Sequence, residues 1–389
     1  MTELERIPVT SPAGVAVFQR ILTHGPIARI DVARATGLSQ AAVTKAVHPL
    51  MQAGFVIEAN AADMQAGPAP TPGRPVSPLI VAPARSAIIG IKVTKARTYG
   101  VLTDLTAQVL ATDEQDNPSA AVEDIAQSVV QLVSRLRAHV APSDVAGVGV
   151  SVSGDVDTDA GEVRQSPLLG WSDVPLGRML ENRLDLPVTV ENDVRALTHA
   201  EQLFGTGRDT ASFAVVTIGE GIGCGIFVNG DVVEGSRGVA GEIGHLPLAP
   251  GNLVCSCGRR GCVETIAGSS AILRVVRDAT GNPQLDFDAV IRLARTGDPD
   301  ALQAFASAGD TIGSALAALA NLFGPQVIVI AGEGVDKFDL YGDSIRETFL
   351  EHAFSSASEC ELVLRSHTFT DWARGAAVSV VRAISSGSA

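Results

Sequence analysis

Aromatic side chains are scarce: Phe, Trp and Tyr make up 4% of the 389 residues, with two Trp and two Tyr among them. A core must then be assembled from many small aliphatic contacts. No run of about 18 apolar residues occurs, which argues against a membrane-spanning helix. The opening MTELERIPVT has neither the charged nor the apolar region of a secretory signal, so the expected location is the cytoplasm. Five cysteines are present. A reducing compartment disfavours structural disulfides, so clustered cysteines there point to metal ligands or redox groups. Basic residues are also in deficit, 29 Lys and Arg against 43 Asp and Glu for a net charge of −14, which argues against generic affinity for nucleic acid. The deficit is uneven, however. Residues 1–85 carry seven Lys or Arg and five Asp or Glu, whereas the remainder carries 22 against 38. A slightly basic head on an acidic body fits a small DNA-binding module joined to a larger domain.

The length suggests two or three domains, and the head has a helical rhythm. Apolar-periodic stretches run from Val15 to Leu22 and from Ile30 to Ala35, with Gly37 closing the second. Ser39 is placed as the N-cap of a third helix, with Ala42, Val43, Ala46, Val47 and Leu50 facing inward. Helix, short glycine turn and helix is the helix-turn-helix pattern, although any small three-helix domain shares the periodicity. Pro49 removes a helix hydrogen bond, which predicts an end at His48. Two short strands, in FVIEAN and VSPLIVAP, flank the Pro/Gly-rich stretch DMQAGPAPTPGR and read as a wing. From Ala87, AIIGIKV, RTYGVLT and AQVLAT read as a meander, followed by a helix from about Ser119 to His139 and the buried-type strand VAGVGVSV. The same grammar restarts at Ser212 with FAVVTIG, CGIFVNG and VVEGS, and reaches a late strand VIVIAG. Two such halves predict a duplicated α/β fold with a ligand cleft.

Three of the five cysteines fall within eight positions, in CSCGRRGCVE, and His245 stands ten residues before the first. His245, Cys255, Cys257 and Cys262 supply four borderline or soft ligands, enough for a closed tetrahedral zinc site. Gly258 and Gly261 would let the loop fold tightly. Cys-x-Cys is a poor match to the Cys-x-x-Cys redox pattern, and a full shell leaves no position for a catalytic water. A second group, Asn192, Asp193, Glu242, His245 and Glu264, offers the carboxylates and amide that a polyhydroxylated ligand needs. Taken singly, such residues are more often caps or surface charges. The glycine-rich turn in TIGEGIGCGIFVNG reads equally as a phosphate cradle or as a tight hairpin.

Together these residues resemble the ROK family of bacterial transcriptional repressors and sugar kinases. GVAGEIGHLPL, CSCGRRGCVE, GEGIGCGIFVNG, VENDVRA and Glu201 behind it stand in the family's order and spacing, and Gly73-Arg74-Pro75 looks like the GRP of the repressor branch. The resemblance implies a winged helix-turn-helix at 1–85, followed by an actin-like, hexokinase or RNase H-like duplicated body with lobes at 86–200 and 201–389. By position, Gly154, Asn192, Asp193, Glu242, His245 and Glu264 would bind sugar, and His245, Cys255, Cys257 and Cys262 would hold one structural zinc.

Kinase members carry an Asp-x-Gly-Gly-Thr-like loop where this chain reads Lys92-Val93-Thr94-Lys95-Ala96, and usually Gly-Thr-Gly where it has Gly219-Glu220-Gly221. Glu220 would set a carboxylate against an anionic triphosphate. Asp193, the kinase base, would be vestigial and hydrogen bond to sugar instead. The expectation is a sequence-specific, sugar-sensing DNA-binding regulator, a repressor in mode of action, rather than an enzyme; the alternative is an ATP-dependent sugar kinase with an appended head. Ser39, Gln40, Ala41 and Thr44 would face bases, Lys45 a phosphate, and Arg74 a minor groove. The expected partners are an operator, a sugar or sugar derivative, a second copy in a homodimer or homotetramer, and in some members a regulatory protein.

Overall fold

The structure is a computed structural model that describes residues 7–9, 11–59, 77–141 and 144–386. It divides into two units, Met1–Phe204 with Trp372–Ala389, and Gly205–Asp371. The head opens the first unit with α1 (Pro12–His24), α2 (Arg29–Thr36) and α3 (Gln40–Gln52), followed by β1 (Val56–Glu58) and β2 (Leu79–Val81). Ser39 caps α3 as the sequence predicts, its hydroxyl accepting from Ala42 N at 3.2 Å. Val43, Val47 and Leu50 are buried beneath it. β1 and β2 pair antiparallel, Val56 opposite Val81. Residues 60–76 between them, with Arg74 and the Gly73-Arg74-Pro75 motif, lie outside the described residues.

Pro49 does not end α3. The helix runs on to Gln52, with Ala53 N donating to Pro49 O at 3.0 Å and Phe55 N to Leu50 O at 2.9 Å. The lost amide costs one bond, but Leu50 and Phe55 are almost wholly buried and hold the last turn in place.

The body's first sheet comprises β3 (Ala87–Val93), β4 (Arg97–Asp104), β5 (Val109–Asp116), β6 (Val145–Val152) and, beyond a small three-stranded sheet of β7 (Asp155–Asp157), β8 (Glu162–Ser166) and β9 (Trp171–Val174), β10 (Val188–Asn192). Its order is β10-β6-β3-β4-β5, with the meander antiparallel and β3, β6 and β10 parallel. α4 (Val122–Arg137) packs on the meander, α5 (Leu176–Leu184) precedes β10, and α6 (Asp193–Phe204) follows it directly.

The second unit repeats the plan. β11 (Ser212–Ile218), β12 (Ile222–Val228) and β13 (Asp231–Val232) form a meander, and after α7 (Glu264–Ala267), α8 (Ser269–Thr280), α9 (Phe287–Arg295) and α10 (Pro299–Phe323) come β14 (Val327–Ala331), α11 (Phe338–His352) and β15 (Glu361–Leu364). The order β13-β12-β11-β14-β15 places the fourth and fifth strands parallel to the first, as in the first sheet. The expected duplicated, actin-like body is thus present.

The compact units divide at Gly205, against the expected lobe boundary at 201, and α12 (Phe369–Ser386) lies in the first unit from Trp372 onward. Glycines on the first sheet explain this docking: a Cβ at Gly90 would stand 2.0 Å from Ala373 O and one at Gly149 1.9 Å from Ala376 O, so only bare backbone lets α12 lie so close. Its Ala377, Val380, Val381 and Ile384 join one apolar cluster with Phe18, Val47 and Leu79 of the head.

Candidate functional site

The parallel strands β3, β6 and β10 end on the same edge of the first sheet, and their last residues gather polar groups there. Lys92 stands opposite Ser151, and Ser151 opposite Glu191. One residue after β10, Asp193 opens α6, and its Oδ1 accepts from Val194 N at 2.9 Å. Lys92 Nζ donates to Asp193 Oδ2 in an ion pair whose side chains are 7% and 10% exposed. The ammonium also lies 5.2 Å from the Trp372 ring centroid. One oxygen of the Asp193 carboxylate is therefore already taken by the Lys92 ammonium.

Around this pair the backbone is tightly held. Asn192 Nδ2 donates to Gly154 O at 2.9 Å, and Asn192 Oδ1 accepts from Arg195 N at 3.0 Å. Arg195, buried, donates to Glu191 Oε1 at 2.7 Å, Val156 O at 3.0 Å and Thr158 Oγ1 at 3.0 Å. Burial pushes the Glu191 carboxyl above its usual range, opposed by the Arg195 guanidinium and the Asn192 amide. The structure brings Gly154, Asn192 and Asp193 together and adds Lys92, Glu191 and Arg195. The Glu191–Arg195 spacing of i,i+4 is a readable signal; the Lys92 pairing, 101 residues long in sequence separation, has none.

In the second unit Glu242, His245 and Glu264 form another group. His245 Nε2 lies 3.7 Å from Glu242 Oε2, and its Nδ1 lies 4.0 Å from Glu264 Oε2. Nδ1 also faces Cys255 Sγ at 3.7 Å, while Cys257 and Cys262 have their sulfurs 3.8 Å apart. All four ligand atoms of His245, Cys255, Cys257 and Cys262 lie within 4.8 Å of one another. Tetrahedral metal–sulfur bonds of about 2.3 Å put two sulfurs roughly 3.8 Å apart, so the donor set and its spacing fit a metal ion. Gly258 and Gly261 take positive φ, 83° and 72°, which closes the knuckle as expected.

The two turns compared with phosphate loops each join an antiparallel pair of strands. Thr94 Oγ1 donates to Arg97 O at 2.7 Å and closes the β3–β4 turn. At the β11–β12 turn, Gly219 N donates to Gly221 O at 3.1 Å, Ile222 N to Glu264 Oε1 at 2.9 Å, and Glu220 N to Glu333 Oε1 at 3.1 Å. Glu333, in the AGEG that ends β14, is absent from the sequence reading.

On the head, Ser39, Gln40, Ala41, Thr44 and Lys45 are all exposed on α3. His48 and Gln52 continue that exposed stripe, because Pro49 does not break it.

Among known proteins, the ROK family matches residues 88–383. NagC of Escherichia coli (strain K12), a DNA-binding transcriptional dual regulator, is 30% identical over 388 residues, covering 96% of this chain and 93% of NagC. A crystal structure of a ROK family transcriptional regulator, a homolog of the E. coli MLC protein, is similar at a TM-score of 0.79 and 27% identity over 96% of both chains. A ROK family glucokinase from Streptomyces griseus, in complex with glucose and AMPPNP, matches at a TM-score of 0.65 and 28% identity over 75% of this chain and 98% of its own. The regulator thus accounts for almost the full length, and the kinase leaves about a quarter without a counterpart.

Proposed function

The chain belongs to the ROK family, and on that premise we propose that it is a DNA-binding transcriptional repressor of carbohydrate-related genes that senses a sugar or sugar derivative without phosphorylating it. The observation that carries the loss of catalysis is the buried bond of Lys92 to Asp193. A general base must offer a lone pair to the substrate hydroxyl, and here an ammonium already takes one oxygen of the carboxylate. The likeness to NagC and to the MLC homolog over nearly the whole chain supports the regulatory reading.

In this reading the sugar is bound by Gly154, Asn192, Asp193, Glu242, His245 and Glu264. His245, Cys255, Cys257 and Cys262 hold one zinc, which supplies no reaction and fixes the loop that carries His245 and Glu264. His245 turns Nδ1 to the metal and leaves Nε2 for a hydroxyl. Residues 1–85 act as the head, with Ser39, Gln40, Ala41 and Thr44 toward bases, Lys45 toward a phosphate and Arg74 toward the minor groove. A homodimer presents two heads to two half-sites.

The test is to pass sheared genomic DNA over the full-length chain while assaying ADP release with common hexoses and N-acyl hexosamines. A small set of upstream fragments should be retained and ADP release should stay at background. Sugar-dependent turnover that disappears in Asp193→Asn would overturn the non-catalytic reading, and retention no better than that of random DNA would overturn the regulator.

A further inference from the structure

We propose that Glu333 is a built-in occupant of the turn Gly219–Ile222, and that its carboxylate closes that turn to ligands bearing a polyphosphate. The proposal rests on the reading of the body as a non-catalytic sensor and names a residue that makes it refuse nucleotide. Glycine-rich turns bind anions because their amide groups converge on one point, and side chains do not obstruct the approach. Here three of the turn's four amides already have acceptors. Glu220 N–H donates to Glu333 Oε1 at 3.1 Å, Ile222 N–H to Glu264 Oε1 at 2.9 Å, and Gly219 N–H across the turn to Gly221 O at 3.1 Å. Two of the three acceptors are carboxylates, so the chain supplies its own anions.

Glu333 is held there by the backbone. Gly334 N donates to Ile218 O at 2.8 Å, and a Cβ on Gly332 would stand 2.6 Å from the same oxygen. The residues on both sides of Glu333 are therefore packed against the end of β11, and its side chain emerges beside Gly219. A Cβ on Gly219 would meet Glu333 Oε1 at 2.2 Å and Cδ at 2.4 Å, so the carboxylate lies against the bare Cα. Lys337 Nζ reinforces this position through Glu333 O at 2.6 Å.

Next to the turn is a small recess whose lining includes Ile218, Ser269, Phe287, Glu333, Lys337 and Tyr341. A phosphate approaching the turn from that side has to displace Glu333 from the Glu220 amide. It then meets two carboxylates, Glu333 and the exposed Glu220, at the point where it needs donors. Removing Glu333 frees the amide and takes away one of the two charges.

Isothermal titration of the full-length chain with Mg·ATP, and separately with inorganic triphosphate, tests this. Glu333→Ala should bind both at least tenfold more tightly than the unchanged chain. Glu333→Gln should fall between them, since its amide oxygen still accepts from Glu220 N–H without carrying charge. Equal affinities for the unchanged chain and Glu333→Ala, with thermal midpoints showing both folded, would overturn the proposal. A gain for Mg·ATP alone would overturn it too, because the turn would then not be the phosphate site. If the order of affinities holds but no genomic fragment is retained, the regulator reading fails and the role of Glu333 stands.

Discussion

A carboxylate as buried as that of Asp193 needs a partner, and the chain provides Lys92. Lys92→Ala would leave the charge uncompensated at a cost of about 3–5 kcal/mol, whereas Lys92→Met with Asp193→Asn should recover much of that loss. Urea unfolding of the four chains in a double-mutant cycle measures the difference, and a cost below about 1 kcal/mol for Lys92→Ala would show the pair to be solvated. Asp193 itself was legible, because VENDVRA carries a motif in consecutive residues. Its partner was not. Lys92 reads in isolation as the loss of an acid, and only the sheet order, which puts β3, β6 and β10 side by side, shows where its ammonium goes. Glu333 was hidden for the same reason: β14 lies beside β11 in the sheet but more than a hundred residues away in the chain.

At the scale of elements, strands with strong local patterns were read closely. AIIGIKV is β3 to the residue, and VAGVGVSV is β6. Boundaries failed where tertiary burial outweighed a local rule, as when Leu50 and Phe55 carried α3 past Pro49. The destination of α12 depends on Gly90 and Gly149, whose role as a landing surface leaves no pattern in the helix itself. The loop from His245 to Cys262 was the most legible element, because soft ligands at short spacing have few other uses. We expect one zinc per purified chain by atomic absorption, with Cys257→Ser losing most of it and unfolding at a lower temperature. Metal-free protein with an unchanged midpoint would contradict a structural zinc.

Over the whole molecule, the repeated strand order of the two sheets and the small helical head were foreseeable from the restart of the pattern at Ser212 and from the charge contrast at residue 85. The exact division was not, since a chain that crosses back at Trp372 is marked only by contacts. For a body of this kind to regulate a head, sugar must bind two states of the protein with different affinities, and DNA must do so too. The coupling is reciprocal, so it can be read from the DNA side alone. The most direct measurement is fluorescence anisotropy of the full-length chain on a retained upstream fragment, with and without the carbohydrate that most raises its thermal midpoint. A change of roughly fivefold or more in Kd at saturating carbohydrate is the predicted result. An unchanged Kd, or a fragment bound no more tightly than random DNA, would contradict it.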